Sequence, residues 1–562
     1  MPFSPIDYTF SQLIRTNYIN YCYLLLIFIP LKKTNFIMKR IFAALTAAVM
    51  TVAMYGQGYS NPVIKGFNPD PSVCRVGDDY YLVTSTFQYF PGVPLYHSKD
   101  LIHWEQIGHV LDRESQIDLT DARSWGGVFA PTIRHHDGKF YMITTNLASK
   151  GNFIVTADDP RGEWSDPLWV DMPGIDPSLF WDDDGRCYYT GADRGCVFCE
   201  VNPDTGERLS EPKMIWYGTG GRSPEAPHIY KKDGWYYLVM AEGGTEFGHG
   251  VTVARSRKVD GPYESAPHNP ILSHVGAAGQ ENPIQCVGHA DIIQAHDGSW
   301  WMVSLGVRTQ RMAGQHHLLG RETYLTPVRW DRNAWPVVNG NGQTYLEMDV
   351  PTLEQHPLAQ KQTHWDFDEP LGPQWQYLRN PHMERYAVKD GKLTLYGSPF
   401  DLRSMDSPTF VCLRQEDHDF EAVACLEMKG AKTGDQAGLS LYMDIESHYD
   451  IYLERKGGKN YVTARYTLGT MDHTVQAAVS SSKIWLKLSG DPDFYNLSYS
   501  ADGKTWKELG RQYTNFLSSE TNWGFTGIMI GLWAYSPHAD KTTVRPSDFR
   551  AEFDYFTYRM TE

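Results

Sequence analysis

Asp70, Asp176 and Glu225 share one position relative to a recurring turn: each lies eight residues before an Asp that opens it, at Asp78, Asp184 and Asp233. The same count back from Asp137 and Asp297 reaches Phe129 and His289. An Asp before Pro, as in Asp70-Pro71 and Asp176-Pro177, is on its own an ordinary turn former. Glu is a poor one, yet Glu225 holds the same register in Pro224-Glu225-Ala226-Pro227. Three acids converging on one place repel one another unless their protons are divided unequally, which is the arrangement acid–base catalysis uses. One carboxyl must then stay protonated near neutral pH while another is ionised.

The elements that must position these residues are short strands. From about residue 60 to 340, aromatic and β-branched runs alternate with Gly, Asp, Asn and Pro, and no long segment keeps a 3.6-residue period. Asp-Gly turns recur at 137–138, 184–185, 233–234 and 297–298, with a degenerate copy at Gly77-Asp78-Asp79. Gly accepts positive φ cheaply, so each copy is expected to be a two-residue hairpin. The marker spacings of 59, 47, 49 and 64 residues predict five β-propeller blades. The strand before each hairpin is innermost in a propeller, so the ring residues should line the central cavity.

After Pro351 a connector (351–363) leads to His364-Trp365-Asp366-Phe367, and nine strands are expected beyond it. They are 393–396, 420–428, 438–443, 449–454, 461–468, 484–488, 495–500, 528–534 and 553–558. No blade-length repeat appears there, which favours a sandwich. The expected fold class is therefore all-β: a five-bladed β-propeller over 59–350 followed by a C-terminal β-sandwich over 364–562. The second domain is expected to pack on the propeller and shape the pocket rim.

With 51 basic and 67 acidic residues the net charge is −16, which argues against a nucleic-acid or anionic-membrane partner, since such surfaces need clustered positive charge. Seventeen Trp and 34 Tyr suit a sugar-binding β protein. Eight cysteines form no dense framework, and the lone Cys196-x-x-Cys199 lies in a strand-like run, so packing is expected rather than metal or disulfide chemistry. Met38-Lys39-Arg40, the apolar run to about Met54 and the small residues after it form a secretory signal over 38–58. Residues 1–37 are then a mis-assigned upstream start, and Tyr21–Ile29 is too short to span a membrane. A secreted or periplasmic protein is expected, with no membrane insertion of the mature chain.

The strings Asn61-Pro62-Val63-Ile64-Lys65-Gly66-Phe67-Asn68-Pro69-Asp70-Pro71-Ser72, Ser85-Thr86-Phe87, Gly174-Ile175-Asp176-Pro177-Ser178, Pro224-Glu225-Ala226-Pro227-His228 and Gly320-Arg321-Glu322-Thr323 resemble family 43 glycoside hydrolases. The resemblance covers essentially the whole mature chain and is nearest the two-domain β-xylosidase branch, with a concanavalin-like second domain. It implies an inverting exo-glycosidase acting on terminal β-1,4-linked xylose, or alternatively an α-L-arabinofuranosidase; a non-catalytic sugar-binding propeller is a third reading. It implies Asp70 as general base, Glu225 as general acid and Asp176 as the carboxylate that raises the acid's pKa and orients it. Phe87 and Phe129 would wall the sugar pocket, Phe129 standing where the family often has Trp, and Arg321 would donate to sugar hydroxyls. His289 would bind substrate or contact a structural calcium ion near the axis, the chemistry itself requiring no cofactor. The partner implied is a pentose-containing oligosaccharide or polysaccharide, with the oligomeric state open.

Overall fold

Five antiparallel sheets follow one another along the chain, over Ser72–Leu111, Thr132–Trp169, Ile175–Trp216, Glu225–Ser273 and Ile284–Val338. In this computed structural model the described residues are 58–276, 279, 281–310, 315–348 and 353–561. The expected signal segment, apart from Gly58, and the stretch 1–37 lie outside them. Residues 354–363 form no regular element.

The first strands of neighbouring sheets contact one another, Ser72–Val76 against Thr132–His136 and Ile175–Trp181 against Glu225–Lys232, so they form the innermost ring of a five-bladed propeller. The turns are less uniform than expected. Asp137-Gly138 (φ 49°, 80°) and Asp233-Gly234 (φ 53°, 73°) are two-residue hairpins with both residues left-handed. At Asp184-Gly185 and Asp297-Gly298 only the glycine is left-handed (φ 81° and 88°), and longer loops close through Asp182 N–H to Arg186 O (3.0 Å) and Ala295 N–H to Ser299 O (2.8 Å). One extra residue before the glycine turns the hairpin into a type I turn with a left-handed end.

Ring closure is polar as well as apolar. Tyr59–Ser60 pairs with Glu347–Met348, and Asn61 Nδ2 donates to Leu325 O and Tyr345 O, each at 3.0 Å. Around the axis, Arg134 donates to Asp291 (2.7 Å) and to His228 Nδ1 (3.0 Å), while Ser72 Oγ and Tyr230 Oη donate to Asp291 at 2.7 and 2.6 Å. His228 Nδ1 also lies 3.0 Å from Ser178 Oγ, so every blade contributes a member. Burial pushes His228 down to about 3; it would raise Asp291, but Arg134 and His228 hold that carboxyl well below the usual range.

The second half is a sandwich of two eight-stranded sheets around a core rich in Leu, Ile, Phe and Tyr. All nine expected strands are present. Met471–Val479 and Lys507–Tyr513 were not expected: both are largely exposed and lack a buried apolar alternation. One sandwich sheet takes its last strand from the first blade, where Phe90 pairs with Tyr377 and Tyr89 with Leu378. Beside this seam the fully buried Arg379 donates to Ala122 O (2.7 Å) in the propeller and to Asp406 O (3.1 Å) in the sandwich. The cysteines among the described residues are free and buried, as the packing reading expects.

Candidate active site

The ring residues sit where the innermost strands are interrupted. Register shifts fall between Ile175 and Ser178, Glu225 and His228, and Gly288 and Asp291. At these bulges Asp176 (φ 54°), Ala226 (φ 53°) and His289 (φ 44°) are left-handed, and Asp70 (φ 56°) repeats the conformation two residues before its strand. A bulge leaves one residue out of the ladder and re-aims a side chain. The proline that follows Asp70, Asp176 and Ala226 lacks an N–H to lose there. The repeated Asp-Pro and Ala-Pro strings are thus the local device that turns side chains toward the axis.

The structure brings Asp70, Asp176, Glu225 and His289 together. His289 Nδ1 lies 3.7 Å from Asp70 Oδ1 and 3.8 Å from Glu225 Oε1, and one ligand atom each of Asp176, Glu225 and His289 falls within a 4.8 Å group. Asp70 accepts from Arg321 Nη1 (2.7 Å) and Ser85 Oγ (2.5 Å). Arg321 was expected to serve sugar hydroxyls; in the structure its guanidinium also pairs with Asp70 and touches Thr245 Oγ1 (3.3 Å) and Phe525 O (3.3 Å). Glu225 keeps 17% side-chain exposure against 4% for Asp70 and 6% for His289, so it is the most reachable of these three groups.

Charge in the ring is unevenly shared. Burial alone would favour a neutral His289, but Asp70, Glu225 and Asp176 outweigh it and push the ring up to about 9. Burial, reinforced by Glu225 and Asp70 against the pull of His289, pushes Asp176 up to about 7. Glu225 goes the other way: burial would raise it, but the imidazoles of His249 (Nε2 at 3.3 Å) and His289 (Nδ1 at 3.8 Å) favour its charged form and outweigh that. Asp176 and Glu225 are one titrating pair, which keeps a shared proton close to neutral pH.

Sequence reasoning missed His249. It is buried, with Nδ1 3.1 Å from Cys286 O and Nε2 3.3 Å from Glu225 Oε1. A neutral ring that spends its Nδ1–H on the carbonyl offers Nε2 as an acceptor and favours protonated Glu225; a cationic ring favours the carboxylate. Gly288 makes room for it, since a Cβ there would lie 2.3 Å from the imidazole.

Phe525 was missed as well. It lies in a loop of the sandwich, and its ring centroid is 5.9 Å from Phe87, 6.4 Å from Phe129 and 6.4 Å from Trp125. Phe87 and Phe129 are 5.0 Å apart, and the Arg321 guanidinium lies 5.5 Å from Phe87 and 5.6 Å from Phe525. The two expected wall residues are therefore joined by an aromatic from the second domain. His135-His136 and His316-His317 take no part in the ring.

The donor set Asp176, Glu225 and His289 fits calcium poorly. It offers one nitrogen and two carboxylates where calcium prefers six to eight oxygens.

A propeller that presents unequal carboxylates beneath an aromatic cap is the scaffold of a glycoside hydrolase. The profile of "Glycosyl hydrolases family 43" matches residues 59–336, and that of the "Beta xylosidase C-terminal Concanavalin A-like domain" matches 363–559. The chain belongs to glycoside hydrolase family 43. It is 39% identical over 97% of its length to a non-reducing end α-L-arabinofuranosidase of Bacteroides ovatus, covering 99% of that protein. It is also 33% identical over 89% of its length to a β-xylosidase of Bacillus subtilis, covering 98% of it. Among solved structures, a xylan β-1,4-xylosidase of Bacillus halodurans matches with a TM-score of 0.84 at 33% identity, covering 89% of this chain and all (100%) of that one.

Proposed function

We propose that the protein is an inverting exo-glycosidase releasing terminal β-1,4-linked xylose from xylo-oligosaccharides or xylan side structures. The observation that carries the reading is the pair Asp70 and Glu225, both within 4 Å of His289 Nδ1, with Arg321 linking Asp70 to the aromatic group of Phe87, Phe129 and Phe525. Glu225 gives its proton to the departing oxygen as the glycosidic bond breaks. Asp70, held by Arg321 and Ser85, takes a proton from the water whose oxygen bonds the anomeric carbon. Asp70 then releases the proton it has taken to solvent, and the Asp176–Glu225 pair regains one from solvent for the next turnover. A binding-only propeller has no use for carboxyls of such divided protonation.

Incubation with xylotetraose tests this: xylose is expected from the earliest time points, and proton NMR of fresh product is expected to show the α anomer. Early xylobiose without xylose would refute exo action, and β-xylose first would refute the water-activating role of Asp70. The second reading, α-L-arabinofuranosidase on arabinoxylan or arabinan, is favoured by the 39% identity to the Bacteroides ovatus protein so named. Arabinose release without activity on xylo-oligosaccharides would establish it. The reaction as proposed needs no metal, so dialysis against EDTA is expected to leave kcat unchanged. Export to the periplasm or medium is proposed from the Met38-Lys39-Arg40 signal, and N-terminal sequencing of exported protein is expected to begin between residues 54 and 60.

A further inference from the structure

Glu242 is a buried carboxylate that the reaction does not use. It ends the strand Trp235–Glu242, one residue beyond Ala241, which pairs with Glu225 across the sheet. Its hydrogen bonds come from neutral donors: Thr219 N–H (2.7 Å), Gly221 N–H (2.7 Å), Thr219 Oγ1 (3.0 Å) and Thr252 Oγ1 (2.8 Å). A charge is costly to bury, so one satisfied this way needs a reason.

Three of those four donors lie in the segment 217–224, which runs directly into Glu225. This segment is Gly-rich and largely exposed, yet its backbone is demanding: Gly218 (φ 79°), Gly220 (φ 101°) and Ser223 (φ 50°) are left-handed, as is Ala226 (φ 53°) just beyond the acid. Non-glycine residues stay in that region only where the surroundings over-determine them. Glu242 supplies the constraint. A Cβ on Gly218 or Gly221 would come within 2.5 and 2.6 Å of its carboxylate oxygens, so the loop is wrapped onto the carboxylate itself. A second tie joins Gly243 N–H to Arg222 O (2.7 Å), next to the Arg222–Glu246 ion pair (2.8 Å).

We infer that Glu242 is a positioning residue for proton donation: by holding the 217–224 loop it fixes where the Glu225 carboxyl meets the leaving oxygen. The inference rests on Glu225 being the general acid. A displacement of about 1 Å in a reacting group can cost on the order of 100-fold in rate, and only substrates that need the proton feel it.

The test compares xylobiose with 2,4-dinitrophenyl β-xyloside, whose leaving group departs without protonation. Glu242→Ala is expected to lower kcat on xylobiose by roughly 10- to 100-fold, with little change on the aryl xyloside and little change in KM. Glu242→Gln, which keeps the volume and one acceptor oxygen, should lie between it and the wild type. Gly221→Ala and Thr219→Val alter the exposed loop rather than the buried carboxylate, and should show the same selectivity if Glu242→Ala does not fold. Equal loss on both substrates, or no loss on either, in folded variants would overturn the inference. Glu225→Gln run in parallel separates the two readings: if it loses both substrates equally, the acid assignment falls and this inference with it. If Glu225→Gln is selective and the loop variants are not, only the role of Glu242 is refuted.

Discussion

At the scale of the residue, the site is a contest over protons between two carboxyls and two imidazoles. Asp176, raised to about 7, sets the alkaline limit of the proton-bearing pair. Below that value the pair keeps a proton to deliver; above it the proton leaves and the acid is lost. kcat/KM on xylobiose is therefore expected to fall above an apparent pKa near 7, and Asp176→Asn should move that limb to lower pH, because Glu225 alone must then hold the proton. A pH–rate profile of both proteins checks it. His289 gives a stability signature instead. Its folded pKa of about 9 lies above the ordinary value of 6.5, so its contribution is fully present below 6.5 and lost as pH rises toward 9. Thermal scans across that window should show falling stability in the wild type and a flatter profile in His289→Gln. The ring's members could be found from the sequence because a repeat register marks them; His249 could not, since it lies just before the Gly250–Ser256 strand of the fourth blade and has no counterpart in the register.

At the scale of the element, bulges and a borrowed loop build the pocket. The X-Pro pairs at 70–71, 176–177 and 226–227 were visible as strings, while the bulges at the second and third depend on pairing with a second strand. Phe525 left no readable signal, because a loop aromatic in one domain becomes a wall only when another domain's cavity lies beneath it. Phe525→Ala is expected to raise KM for xylobiose by about 10-fold, the loss of roughly 1.4 kcal/mol of aromatic contact, with a smaller effect on kcat. Steady-state kinetics would show this; an unchanged KM would mean the cap does not touch the sugar.

At the scale of the whole molecule, propeller and sandwich are joined by backbone pairing as well as side-chain packing. The Tyr89–Phe90 strand completes a sandwich sheet, and Arg379 ties carbonyls of both halves. Arg379→Ala leaves buried carbonyls unsatisfied and should cost on the order of 2–4 kcal/mol, measured by urea denaturation. Loss of the seam should also loosen the Phe525 cap, so KM should rise along with it. The sequence alone determined the all-β class, the repeat of five, the sandwich strands and the three acids, because turn chemistry, alternation and register are local properties written every few residues. The tertiary structure decided that Glu225 and Asp176 titrate as a pair, that Arg321 braces Asp70, and that Phe525 packs against Phe87 and Phe129. Each of those depends on distances between segments far apart in the chain, and Coulomb interactions and ring contacts follow separation in space rather than in sequence.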